Sequence, residues 1–271
     1  KYFSDVDTAK KRIERTKFLN GSAPSIKSLN DNMFSYDYIN GNLLSNLSDD
    51  NLLKNVLPFY FDKFGSEQFE KTNEFLRDCE EMYYHKTHSR IIDSFVGTDL
   101  DKIDFINGVK VDGILELLKK IDWSLIYDLS IPTRFHGDFQ PENILHDGSD
   151  FKLIDWRQDF AGILEYGDIY YDFAKLMHGL IVNHGIIAND QYSAFWKDGE
   201  IKYDLHRKQS LVECEHKFNN WIVSSGYDLK KVRILTALIY LNIAALHHYP
   251  YSLLLYGLGK KMLYKESSKE L

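Results

Sequence analysis

The residues with chemistry to offer are concentrated between positions 135 and 155, in FHGDFQPENILHDGSDFKLID. Asp138 follows His136 and Gly137, Asn143 stands five residues beyond Asp138, and Asp155 closes the segment. Between Asn143 and Asp155 an apolar pair, Ile144-Leu145, a polar turn at 146–150 and a second apolar run at 151–154 read as strand, turn, strand. Transfer of a phosphoryl group from ATP needs a carboxylate beside the acceptor hydroxyl, and oxygen ligands for magnesium on the phosphates. Each of these residues alone has an ordinary use in turns and caps. Their combination in one short hairpin is what points to chemistry.

The protein-kinase catalytic loop spaces its aspartate and asparagine in the same way, and a metal-binding aspartate follows after a hairpin. Here His136-Gly137-Asp138 replaces His-Arg-Asp, and Asp155-Trp156-Arg157 stands where Asp-Phe-Gly would. Gly167-Asp168-Ile169-Tyr170-Tyr171-Asp172-Phe173-Ala174 comes shortly afterwards. In these motifs the chain resembles the aminoglycoside phosphotransferase and choline kinase family, small-molecule kinases built on the protein-kinase fold. The stretch from Asp155 to Asp168 is too short for a protein-kinase activation segment, and no Ala-Pro-Glu follows it. That argues against a protein substrate.

The resemblance implies an α+β, protein-kinase-like fold with a truncated or reduced N-terminal lobe. Residues 1–40 would form a partial nucleotide lobe and hinge, and residues 41–271 a helical lobe carrying the catalytic hairpin and acceptor site. The cofactors implied are ATP and Mg2+, and the partner is a small-molecule hydroxyl acceptor. Asp138 would orient that hydroxyl and take its proton, Asn143 and Asp155 would hold magnesium, and His136 and Asp172 would support the loop. Around the adenine, Tyr36 would back the pocket, with the Asp37 carbonyl and the Ile39 amide meeting the base. Lys1 would be the strand lysine and Glu14 its helix partner. No glycine precedes Gly21, so a glycine-bearing loop over the phosphates lies upstream of Lys1 or is absent. A catalytically inactive pseudokinase, binding nucleotide as a sensor or scaffold, is the rival reading.

Several segments must position these groups. Residues 7–19 read as a surface helix stopped by Gly21, and 26–29 and 32–39 as two strands around a turn at Asn30-Asp31. From Asp49 onward the pattern is largely helical, with an amphipathic stretch at 67–88 and a shorter one at 111–121. Residues 168–180, 209–224 and 229–246 read as later helices, with Asp168 as an N-cap.

With 44% apolar and 27% charged residues the chain is an ordinary globular protein. Its net charge of −7 argues against nucleic acid as the main partner, since phosphate binding needs a basic surface, and mildly favours a cationic acceptor. The apolar run at 234–246 is too short and too interrupted to enter a membrane as a span. Cys79 and Cys214 lack metal-ligand spacing, and the ten histidines form no metal pattern, so the cysteines read as reduced thiols of a cytoplasmic protein. For the acceptor, Trp221, Tyr249, Tyr251 and Tyr256 with Glu213 and Glu215 could hold an amine by cation–π and ionic contacts. A sugar or polyol fits almost as well, and oligomeric state is not legible.

Overall fold

Asp5 starts the first helix, its carboxylate accepting from the backbone N–H groups of Asp7 and Thr8 and so satisfying donors that have no partner inside the helix. The computed structural model describes residues 1–46 and 52–268; the helical start expected at Asp49 lies outside the described residues. Helix α1 spans Val6–Arg15, and β1 (Ile26–Asn30) and β2 (Met33–Tyr36) form an antiparallel hairpin. Its turn is Asp31-Asn32, one residue later than expected, and β2 stops at Tyr36 rather than at residue 39. Phe34 anchors the inner face, stacked on Phe3 and Trp156. Asp37 and Tyr38 are exposed, so no buried face remains to extend the strand.

Chain order then runs β3 (Asn42–Leu43), α2 (Leu52–Tyr60), α3 (Asn73–Glu80), α4 (Lys86–Phe95), β4 (Phe105–Ile106), β5 (Val109–Lys110), α5 (Ile114–Lys119) and α6 (Trp123–Asp128). It continues through β6 (Pro132–Thr133), β7 (Ile144–His146), β8 (Phe151–Leu153), β9 (Gly167–Asp168), α7 (Ile169–Ile181) and α8 (His184–Ala188). It closes with β10 (Tyr192–Lys197), β11 (Glu200–Leu205), α9 (Gln209–Ser224), α10 (Leu229–Ala244) and α11 (Tyr251–Ser267). The sheets are small: β1–β2, β6–β9 and β3–β7–β8 are antiparallel, and β10–β11–β4–β5 contains one parallel pair, β11 with β4. The architecture is mixed helix and sheet.

The hairpin expected around Asn143 is β7–β8, and β3 lies beside it. The helices expected at 168–180, 209–224 and 229–246 agree with α7, α9 and α10 to within two residues at each end. The stretch expected to be helical from residue 67 begins only at Asn73. Gln68 and Phe69 are held extended by pairing with Thr133 and Pro132, and Thr72 then caps α3 through the Phe75 N–H. That helix runs on through a π turn, Glu81–His85, into α4.

Helices α7 and α10 are buried on almost every side, and α10 packs against both α7 and α11. Asp168 caps α7 as expected, accepting from Tyr170 N. It also does more, pairing with Lys231 of α10 at 2.7 Å, with both side chains fully buried. Tyr83 OH and Ile131 N donate to the same carboxylate, and Lys231 also donates to Ser130 Oγ. Cys79 and Cys214 are buried, and neither is in a disulfide. Among the described residues no helix is long and apolar enough to cross a membrane.

Candidate active site

The loop ahead of β7 is held from beneath. Asp172, in the first turn of α7, accepts from the backbone N–H groups of His136 and Gly137, each at 2.7 Å, and from Tyr60 OH at 3.1 Å. Its side chain is fully buried; burial pushes the carboxyl up to about 6, and the two backbone donors and Tyr60 limit the rise. Gly137 sits at φ +84°, and a Cβ there would meet Arg157 Cβ at 2.5 Å, so only glycine fits this turn. Gly179 serves packing instead, since a Cβ on it would lie 2.3 Å from Pro141 Cδ. Its absence lets α7 lie against the loop. From above, Arg15 of α1 donates to the Phe135 carbonyl, and Arg157 N donates to the His136 carbonyl. Burial pushes the His136 imidazole down to about 4, and the neutral ring accepts from Asp138 N at Nδ1. The supporting role expected of His136 and Asp172 matches these contacts.

Asp138 is fixed on both oxygens. Lys175 of α7 lies 2.7 Å from Oδ1, while Asn143 Nδ2 donates to Oδ2 at 2.9 Å and to the Asp138 carbonyl at 2.8 Å. Burial alone would raise this carboxyl; the attraction and hydrogen bond of Lys175, with His136 and His178 adding to them, outweigh it and hold the pKa below the ordinary aspartate value. The group is therefore a carboxylate at neutral pH. Ile154 N donates to the Asn143 carbonyl at 2.9 Å, which places Asp155 beside Asn143 at the open end of β7–β8. Asp155 has φ +61°, a left-handed conformation that aspartate tolerates better than most residues. Such backbone strain collects at functional sites.

The adenine and lysine assignments fare differently. Tyr36 sits close enough to Asp155 for that charge, after burial, to raise its phenol. Asp37 and Ile39 lie on the connection from β2 to β3, where the Ile39 carbonyl accepts from Gly41 N; among the described residues the Ile39 N–H has no partner. Lys1 reaches Asp155 and forms an ion pair with it. The expected Lys1–Glu14 pair is not made: Glu14 is exposed and lies 3.9 Å from Lys17. The phase of α1 explains the correction, since it turns Arg12 and Arg15 inward and Glu14 outward.

Among the described residues no group of three or more His, Cys, Asp or Glu could hold a metal. Asn143 and Asp155 nevertheless fit magnesium, which takes few protein oxygens and fills its shell with phosphate and water. Both amide hydrogens of Asn143 point toward Asp138, leaving its oxygen for a cation. Of the six candidate acceptor residues, Tyr251 lines a cavity of about 370 Å³ together with Gln140, Lys175, His178, His184 and His247. The others do not line it. Trp221 packs among Phe61, Phe173 and Phe218, Glu215 pairs with Arg207, Glu213 accepts from Gln209, Tyr256 is fully buried and Tyr249 is exposed. Sequence reasoning missed Lys175, although it stands one helical turn after Asp172 and so must face the same loop. Arg12, which feels the charges of Asp155 and Asp138, carried no sequence signal.

No family model matches the chain, and no curated protein matches it. Among solved structures it is similar to an ethanolamine kinase from Plasmodium vivax, at 11% identity over 97% of this chain and 73% of that one, with a TM-score of 0.39. A likeness that distant identifies no family, and the functional reading rests on the geometry above.

Proposed function

We propose that the protein is an ATP-dependent phosphotransferase acting on a hydroxyl of a small molecule, with a protein-kinase-like arrangement of its site. The observation that carries this is the fixed carboxylate of Asp138, held by Asn143 and Lys175 on a loop clamped by Asp172, one hairpin away from Asp155. Asp138 orients the acceptor hydroxyl and receives its proton. In a loose transition state that positioning counts for more than basicity. Asn143 and Asp155 would hold magnesium, which when bound neutralises charge on the phosphates. Tyr36 and the backbone of Asp37 and Ile39 receive the adenine. Lys1, already on Asp155, would move to the phosphates.

Asp155→Ala is expected to abolish magnesium-dependent ATP binding while the protein keeps its fold. Calorimetry with and without magnesium checks this, and an unchanged affinity for Mg–ATP would remove Asp155 from the metal site. The adenine assignment has its own test. Ile39→Pro deletes the amide donor and should weaken ATP far more than Ile39→Ala; equal losses in a nucleotide titration would move the base elsewhere.

A second reading, a nucleotide-binding sensor without turnover, draws support from the two ion pairs that already neutralise Asp138 and Asp155. Direct product analysis separates the two readings.

A further inference from the structure

Lys175 lines a second, smaller cavity of about 150 Å³, bounded by α4, α7 and α10 and lined also by Lys86, Arg90 and Arg157. No carboxylate lines it among the described residues. Lys175 is balanced by Asp138, but among the described residues Lys86, Arg90 and Arg157 have no ion-pair partner. Arg157 is spent on neutral groups: it donates to the Asp159 carbonyl, approaches Tyr171 OH and lies over the Tyr171 ring. Among the described residues, the hydrogen-bond partner of Lys86 Nζ is the Met82 sulfur, at 3.9 Å. Asn242 also lines the cavity, and among the described residues its buried Oδ1 has no donor. Outward, Lys86, Arg90 and Arg157 continue into a wider cavity of about 590 Å³, where Glu81, Asp93 and Asp159 join the lining.

Cations converging on an inner cavity that no carboxylate of the described residues lines are costly to hold in a half-buried place unless an anion comes to them. Burial first, then Arg157, Arg90 and Lys175, push the Lys86 ammonium down to about 7, with Asp159 opposing. A guanidinium beside an ammonium is the donor set that recognises phosphate or carboxylate oxygens.

We propose that this inner cavity binds an oxyanion group, phosphate or carboxylate, carried by the acceptor, so that the hydroxyl presented to Asp138 belongs to an anionic sugar or polyol. The inference rests on the phosphotransferase reading of Asp138. Lys175 joins the two places, touching Asp138 on one side and lining the cationic cavity on the other. The unpaired Oδ1 of Asn242 suits a further ligand hydroxyl.

The test is a calorimetric titration of inorganic phosphate into the full-length protein saturated with Mg–ADP. Phosphate should still bind, and Arg90→Gln and Lys86→Met should each weaken it about tenfold or more, the loss expected for one charge-assisted hydrogen bond. Lys86→Met removes a desolvated charge and should raise the unfolding temperature, which separates lost binding from lost folding. In a turnover assay, ribose 5-phosphate should compete with acceptor phosphorylation better than ribose, and Arg90→Gln should erase the difference. Phosphate that Mg–ADP displaces would assign the cluster to the nucleotide and overturn the proposal. So would binding that both variants leave unchanged. Failure of the protein to bind Mg–ADP sinks the phosphotransferase reading instead, and titration of the nucleotide-free protein then decides the oxyanion site by the same two variants.

Discussion

Asp138→Asn should lower acceptor turnover by roughly two to four orders of magnitude, the range that loss of a general base costs, with Mg–ATP affinity almost unchanged. The substitution keeps the size of the side chain and much of its hydrogen bonding to Asn143, so the loop held by Asp172 should stay in place. A companion variant gives the sign of the electrostatics. Lys175 is what holds the Asp138 carboxyl below its ordinary value against burial. Lys175→Met leaves burial unopposed by its main partner, the Asp138 pKa rises, and the acidic limb of the pH–rate profile should move to higher pH. Steady-state kinetics across pH checks both. An Asp138→Asn enzyme with near-normal turnover would place the base elsewhere, and an unmoved acidic limb in Lys175→Met would deny the coupling.

The largest expected effect on stability lies at Asp168 and Lys231. Both are fully buried at 2.7 Å, and burial works against the ammonium while Asp168 supports it. Removing one partner leaves the other charge uncompensated, which costs about 3–5 kcal/mol in such pairs. Asp168→Asn and Lys231→Met should each show a loss of that size in urea denaturation. The double variant should lose much less than the sum, since it strands no charge. Additive losses would mean that the pair contributes nothing through its charges.

The candidate site was legible in the sequence where its parts are contiguous. His136, Asp138, Asn143 and Asp155 lie on one contiguous segment, the β7–β8 hairpin with the loop ahead of it and the residue after it, so local strand and turn signals place them without knowledge of the rest of the chain. Asp172 was legible through its motif at the start of α7. Lys1 and Glu14 were not, because their pairing depends on the rotational phase of α1, and that helix turns its arginines inward. The cationic cluster was invisible for a related reason: Lys86 and Arg90 reach Arg157 and Lys175 only once α4 packs beside α7 and α10. The net charge of −7 gives no hint of this local grouping of Lys86, Arg90, Arg157 and Lys175. In the fold, the β10–β11 hairpin was not anticipated, although its Asp198-Gly199 turn is a recognisable two-residue hairpin signal. By contrast, the late start of α3 follows from pairing with residues 132 and 133, which no local pattern reveals.

A phosphotransferase of this kind must move a phosphoryl group to a small-molecule hydroxyl. Phosphorus NMR of the full-length protein with Mg–ATP and a panel of amino alcohols, aminoglycosides, neutral sugars and sugar phosphates tests it directly. The expected result is a new phosphomonoester signal, in amount equal to the ADP formed and absent with Asp138→Asn. Tight Mg–ATP binding with no phosphoester from any member of the panel, and only the free phosphate of slow hydrolysis, would contradict it in favour of a nucleotide sensor.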